Sequence, residues 1–347
     1  MMSKQVAIIG HFGGNKQFLD GQTVKTKVLY DELNKTGKYE IYKVDTYYKK
    51  HNPFKLLWQT FKGFCLCDDV FILVSGGGMK VYFPILYYVG KLKNLRVYHD
   101  VIGGNLDKYV EKNASFDKYI NSFSVNWVET KNMKLKLEKL GINNVAVLPN
   151  FKDLKNVAAS DYSDDVFRFC TFSRVMKEKG IEEAIDVIKK INSEAGKIVC
   201  TLDIYGVVDD GYVDTFEKLK VLFGDEVRYG GLVPYSESVS VLKNYYALLF
   251  PTYWDGEGFP GTILDAYASG IPVIASDWNY NRELVNHLKT GLLYPEGDMK
   301  SLYDCVKWVV ENRKQVNTIR RNCAEEYLQY KPEAVMHIIE EKLSEKG

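Results

Sequence analysis

The chain has 347 residues, 46% of them hydrophobic, with 46 Lys+Arg against 45 Asp+Glu for a formal net charge of +1. That length and apolar content suffice for a large core and two domains, while no apolar stretch reaches the roughly 20 residues of a membrane-spanning helix. Near-neutrality hides an asymmetry: residues 1–150 hold 22 basic and 13 acidic residues, the remainder 24 and 32.

A basic half beside an acidic half suits either an anionic partner for the first half, such as a phospholipid surface or a phosphorylated substrate, or simply solvated lysine-rich helices. The six cysteines form no CxxC pair and fall in apolar or helical runs, as expected of reduced thiols in the cytoplasm. A strand at Gln5–Gly10 leaves no room for a secretory signal. The expectation is a cytoplasmic protein, either free or peripheral on the inner face of the membrane.

In chain order, strands are predicted at Val6–Gly10, Tyr39–Val44, Val70–Ser75, Leu95–Val101, Val125–Glu129 and Val145–Leu148. Helical periodicity falls between them at Gln22–Lys35, Pro53–Phe64, Val81–Lys91 and Asn132–Leu140. Alternation of this kind predicts a doubly wound parallel sheet. On Pro53–Cys65, Phe54, Leu57, Trp58, Phe61 and Phe64 share a face behind Lys49, Lys50 and His51. That face either rests on an anionic membrane or packs on the first sheet; the strand directly after it favours the sheet. Asn150–Asp165 reads as a linker.

A second alternating series follows: strand Phe167–Phe172, helix Ile181–Ser193, strand Ile198–Tyr205, helix Thr215–Leu222, strand Glu226–Gly230, helix Ser236–Asn244 and strand Ala247–Pro251. After strand Gly291–Tyr294 and helix Met299–Glu311, the tail Val316–Lys346 reads as helical. The domains expected are 1–155, 156–330 and a last helix, 331–347, crossing back to the first.

Inside the second series, Tyr253–Asp277 carries the densest chemistry. Trp254–Gly261 is a Gly/Pro loop that continues neither helix nor strand. Thr262–Ser269 reads as helix, Gly270 and Pro272 stop it, and Ile271–Ala275 is a buried strand. Glu257 therefore lies in the loop and Asp265 on the helix it opens into, beside a helix start whose free N–H groups suit phosphate. The chain has neither a GxGxxG nor a GxxxxGK[ST] fingerprint, and no Asp-x-Asp metal motif.

The run EGFPGTILDAYASGIPVIASD resembles the donor-binding signature of glycosyltransferase family 4, the glycosyl transferases group 1, which are retaining enzymes of the GT-B fold. Upstream, FCTFSRVMKEKGIEEAI is similar to the same family's strand–Arg–Lys-Gly–helix segment. The resemblance implies two Rossmann-like domains facing across a cleft and a nucleotide-diphosphate sugar as donor, with no cofactor and no metal. It implies that Arg174 and Lys179 neutralise the leaving diphosphate and that Glu257 binds sugar hydroxyls. Backbone at Phe259, Gly261 and Thr262 would line sugar and phosphates, and Asp265, where the family usually has Glu, would hold the ribose. Gly206, Leu232 and Val233 would stand by the nucleobase, and Gly21 would admit the donor phosphate, with Gly13 and Gly14 keeping the His11–Asp20 loop mobile. His99 matches a histidine near donor and acceptor, though a satisfied strand-end histidine fits its position too. Ser75–Gly78 marks either an acceptor loop or an ordinary turn.

The implied activity is transfer of a hexose-type sugar to a hydroxyl of a saccharide or lipid-linked saccharide, with no nucleic-acid partner. Two alternatives remain open at this point: a GT-B sugar-nucleotide epimerase, and a non-catalytic sugar-nucleotide-binding subunit.

Overall fold

A computed structural model describes residues 4–345 apart from 17, 19 and 114. The chain divides into two units, Met1–Asp153 with Pro332–Gly347, and Leu154–Lys331.

The first unit runs β1 (Lys4–Gly10), α1 (Gly21–Lys35), β2 (Tyr39–Asp45), α2 (Tyr48–His51), α3 (Pro53–Leu66), β3 (Asp69–Leu73) and α4 (Gly77–Lys93). It continues through β4 (Arg96–Asp100), α5 (Leu106–Lys112), α6 (Phe116–Ile120), β5 (Val125–Val128), α7 (Lys131–Lys139) and β6 (Val145–Val147). The strands form one sheet in the order β2-β1-β3-β4-β5-β6, each pair parallel. Helices cover both faces, so the central strands are buried throughout and their sequences run continuously apolar, as in Val6–Ile9 and Val70–Leu73.

Local chemistry sets the helix ends. The Asp20 carboxylate accepts from Thr23 N at 3.0 Å and opens α1. Asn52 caps α3, whose first residue is Pro53, and Asn94, at φ 54°, ends α4 in the left-handed region. α4 starts at Gly77, so Gly77 and Gly78 of the Ser75–Gly78 turn are already helical.

The apolar face of α3 points away from the sheet. Phe54, Leu57, Trp58 and Phe61 are exposed, and only Phe64 turns inward. The packing expected from the strand that follows is therefore reversed. The sheet side of the helix is carried by Gly63, where an added Cβ would lie 3.3 Å from Tyr42 and Val44, together with Phe64.

The second unit runs β7 (Phe167–Phe172), α8 (Ile181–Ala195), β8 (Cys200–Tyr205), α9 (Val213–Val221), β9 (Val227–Gly231), α10 (Ser238–Leu242), β10 (Ala247–Phe250), α11 (Gly261–Ala268) and β11 (Val273–Ser276). Then come α12 (Asn281–Leu284), β12 (Gly291–Tyr294), α13 (Met299–Glu311) and α14 (Arg313–Glu326). Its parallel sheet has the order β12-β11-β10-β7-β8-β9. One core lies between the sheet and α8 and α13, around Phe169, Ile188 and Leu249; a second lies around Leu248, Tyr267 and Tyr327. Tyr267 is fully buried, and its hydroxyl is satisfied by Leu284 O at 2.9 Å and Thr290 at 2.8 Å.

The predicted continuous helical tail is broken. α14 passes into a 3₁₀ turn at Tyr327–Tyr330, and Pro332, which lacks an N–H, starts a new helix, α15 (Pro332–Ser344). α15 belongs to the first unit, where Lys4 Nζ donates to Leu343 O at 2.6 Å and Lys38 pairs with Glu340 at 2.7 Å. Lys346 lies outside the described residues.

Candidate active site

In the second sheet, β7 and β10 are neighbours, but the chain leaves β7 toward β8 on one side and β10 toward β11 on the other. Connections that part in this way open a crevice at the carboxyl ends of the two strands, where doubly wound folds take ligands. The residues after β7 and β10 are those around Arg174, Lys179 and Glu257.

Close backbone approach builds this edge. Gly206, at φ 138°, lies so near Ser173 that a Cβ would stand 1.7 Å from its carbonyl oxygen. Gly180, at φ 71°, likewise approaches Pro251, where a Cβ would stand 2.3 Å from the carbonyl oxygen. No side chain fits either place. A 3₁₀ turn, Lys177–Lys179, then sends Lys179 inward, and Tyr253 N donates to Glu178 O at 2.8 Å, tying the turn to the loop after β10.

Lys179 is 8% exposed and Glu257 6%. The Lys179 ammonium pairs with Glu257 Oε2, which also accepts from Thr252 Oγ1 at 3.1 Å. The same ammonium sits 4.6 Å from the Trp254 ring centroid. Sequence reasoning gave neither Thr252 nor Trp254 a role; their signal is position alone, Trp254 as the first residue of the loop and Thr252 two residues before it. Arg174 differs, being half exposed and only 3.5 Å from the Asp209 carboxylate, a loose contact that a ligand can displace.

Gly261 and Thr262 open α11, whose first turn holds no acidic residue, so the positive end of its dipole is uncompensated there. Thr262 Oγ1 is buried and has no hydrogen-bond partner among the described residues. At α8, by contrast, Glu182 and Glu183 occupy the first turn. Of the two helix starts beside the crevice, α11 is the one that suits an anion. Asp265, four residues into α11, is buried and accepts from Ser238 Oγ at 2.9 Å, a partner sequence reasoning also missed. Phe259 turns its ring to Tyr330 in the core, centroids 5.4 Å apart. Leu232 is exposed and Val233 half-buried just beyond β9.

The first unit has its own parting of connections, between β1 and β3. Gly21 opens α1 there with open space where a Cβ would be. Gln22 ties α1 to the strand ends through Leu73 O at 3.0 Å and the Ser75 hydroxyl at 3.2 Å. Asp45 accepts from Phe12 N at 2.9 Å and Gly14 N at 2.8 Å, fixing the start of the loop expected to be mobile; Gln17 and Leu19 of that loop lie outside the described residues.

His99 is fully buried. Its ring packs on Phe83, centroids 4.9 Å apart, Nδ1 lies 2.9 Å from Asn126 Oδ1, and Nε2 has no partner among the described residues. Burial pushes its pKa down to about 4, so the ring is neutral near pH 7. Next to it, buried Lys25 lies 2.6 Å from Asp100 and 2.9 Å from Glu129. Burial opposes the lysine's charge, but the two carboxylates outweigh it and hold its pKa above the usual range. Burial pushes Asp100 up to about 6, against the pull of Lys25.

Among the described residues no three His, Cys, Asp or Glu are placed to hold a metal ion, and no helix is long and apolar enough to cross a membrane.

Residues 155–326 match the family described as Glycosyl transferases group 1. The amylovoran biosynthesis glycosyltransferase AmsK of Erwinia amylovora is 28% identical over 48% of this chain and 40% of its own. The N,N'-diacetylbacillosaminyl-diphospho-undecaprenol alpha-1,3-N-acetylgalactosaminyltransferase of Campylobacter jejuni is 25% identical over 46% of this chain and 39% of its own. The chain spans less than half the length of the curated relatives it matches. The crystal structure of Anabaena HepE in complex with UDP aligns with a TM-score of 0.72 at 17% identity, covering 98% of this chain and 99% of HepE, which establishes the GT-B fold.

Proposed function

We propose that this chain, which belongs to the glycosyl transferases group 1 family through residues 155–326, moves a hexose-type sugar from a nucleotide-diphosphate donor to a hydroxyl acceptor with retention of configuration. The observation that carries the reading is the buried Lys179–Glu257 pair at the β7/β10 crevice, flanked by Arg174 and by the uncompensated start of α11.

In this reading the diphosphate lies on Arg174, Lys179 and the first amides of α11. Its charge grows as the bond from the anomeric carbon to phosphate oxygen breaks, and fixed positive groups stabilise that charge more than they stabilise the ground state. The acceptor oxygen bonds to the anomeric carbon on the face the phosphate leaves, and its proton passes to the departing phosphate oxygen. No side-chain nucleophile is needed. Glu257 orients the sugar hydroxyls, and Asp265, held by Ser238, closes the ribose end beyond Gly206, Leu232 and Val233. His99 is left out of the reacting set because its ring meets no solvent. Two side-chain cations take the part a metal plays elsewhere, so transfer continues in chelator.

The names of the relatives support polysaccharide or lipid-linked glycan assembly as the setting, and the UDP complex of HepE supports uridine donors first. Free thiols at all six cysteines support the cytoplasm. The test is a screen of UDP- and GDP-sugars by thermal shift, followed by transfer to saccharide and lipid-linked acceptors in EDTA with the product anomer read by NMR. One donor should stabilise the chain and yield a product of the donor's configuration. Acceptor-independent conversion of the donor to another sugar nucleotide, or tight binding with no transfer to any acceptor, overturns the proposal.

A further inference from the structure

The apolar surface of the chain is unevenly placed. Of nineteen exposed large hydrophobic residues among those described, nine lie on α3 and α4. On α3, Phe54 is 84% exposed and Trp58 63%, with Leu57 and Phe61 beside them at helical spacing. On α4, Val81, Ile85, Tyr88 and Leu92 repeat the pattern and line one outward face. The two helices lie side by side: Thr60 Oγ1 meets Tyr82 OH at 3.1 Å, and Lys93 Nζ reaches Phe64 O. Apolar surface concentrated on two neighbouring helices marks an interaction site.

The charge around it selects the partner. Residues 46–100 contain Lys49, Lys50, Lys55, Lys62, Lys80, Lys91 and Lys93, but only three acids. Of those, Asp69 and Asp100 are buried in ion pairs with Lys4, Arg96 and Lys25, leaving Asp68 at the surface. All seven lysines are exposed. On α3, Lys55 and Lys62, seven residues apart, flank the aromatic stripe; on α4, Lys80 and Lys91 flank the second.

Two copies meeting through this face would set lysines against lysines with almost no acid to answer them. A bilayer with anionic headgroups answers both features at once: phosphates take the lysines while Trp58 and its apolar neighbours enter the headgroup–acyl boundary.

We propose that the outward faces of α3 and α4 dock on an anionic phospholipid bilayer and hold the chain at the membrane surface. The proposal does not rest on the sugar-transfer reading, and its test involves no nucleotide sugar.

The full chain is sedimented with vesicles of phosphatidylcholine alone and of phosphatidylcholine mixed with phosphatidylglycerol. Binding is expected to the mixed vesicles only and to fall with added salt. A Trp58→Ser, Phe61→Ser double variant should bind at least tenfold more weakly, as should a Lys50→Glu, Lys62→Glu variant. Leu135→Ser, an exposed change on α7, should bind as wild type. Each variant is first shown to melt as wild type; where the aromatic pair fails that check, the lysine pair decides alone. Failure of the wild type to sediment with mixed vesicles overturns the proposal. Equal binding to both vesicle types does so as well, and so does a solution dimer that Trp58→Ser dissolves.

Discussion

Each unit places a buried lysine at the carboxyl ends of a parallel sheet, and the two lysines are held in opposite ways. Lys25 is clasped by Asp100, Glu129 and the Val101 carbonyl, contacts drawn from the ends of two separate strands, β4 and β5. Lys179 has one carboxylate, from Glu257, and the face of Trp254, both on a single loop. The first arrangement outnumbers its cation with anions and leaves nothing to be won by moving. The second is balanced one to one and lies beside a helix start that lacks a counter-charge, so an arriving anion can draw the lysine away and leave Glu257 for hydroxyls. One fold thus supports an ionic lock in one sheet and an exchangeable pair in the other.

The sharpest way to break this contrast is Lys25→Met. Two carboxylates would remain buried without their cation, and urea unfolding should show a loss of about 3–5 kcal/mol. A loss no greater than that of Lys179→Met would erase the distinction. Next come Lys179→Ala and Glu257→Ala, which should each lower turnover about 10²–10³-fold while costing less stability than Lys25→Met; near-wild-type transfer by either would remove the pair from the site.

A smaller effect separates the neighbours of the lock by pH. The native-state pKa of His99 is depressed to about 4, so the unfolded chain binds its proton first, and the stability this residue confers is lost as pH falls from about 6.5 to 4. Asp100 is raised to about 6, so its effect runs the other way: stability is gained as pH falls through 6 and lost as pH rises. The two oppose each other in the wild type. His99→Gln should uncover the Asp100 slope, making the variant more stable relative to wild type by about 2–3 kcal/mol at pH 4.5 than at pH 7. A constant difference between the two pH values would mean that His99 is not buried neutral.

The architecture was largely legible because each central strand is a short apolar run bounded by turn residues. β7, β12 and α13 begin and end where the pattern does. Four short helices, α2, α5, α6 and α12, carry too few turns to show periodicity. α4 begins four residues before its apolar stripe because glycines at its start read as loop. At the site, Arg174, Lys179, Glu257 and Asp265 were legible as types at or just beyond strand ends. The partners Trp254 of Lys179, Thr252 of Glu257 and Ser238 of Asp265 were not, because nothing in local spacing encodes a ring beneath an ammonium or a hydroxyl on a neighbouring helix. The Lys25 lock was invisible for a plainer reason: Lys25 and Glu129 lie 104 residues apart. The direction of the α3 stripe was misjudged because periodicity shows that a helix has two faces, and only packing decides which one turns in.

α15 gives the two units different histories during synthesis. The second unit is one unbroken stretch, Leu154–Lys331, and has every strand of its sheet once that stretch has emerged. The first unit has all six strands early, but Val335, Ile339 and Leu343, which it buries, and Glu340, which pairs with Lys38, are made after the whole of the second unit. Folding from the N-terminus therefore cannot finish the first unit first. A ribosome making this chain completes the younger half before the older one, and residues 1–153 made alone would leave uncovered the surface that α15 closes.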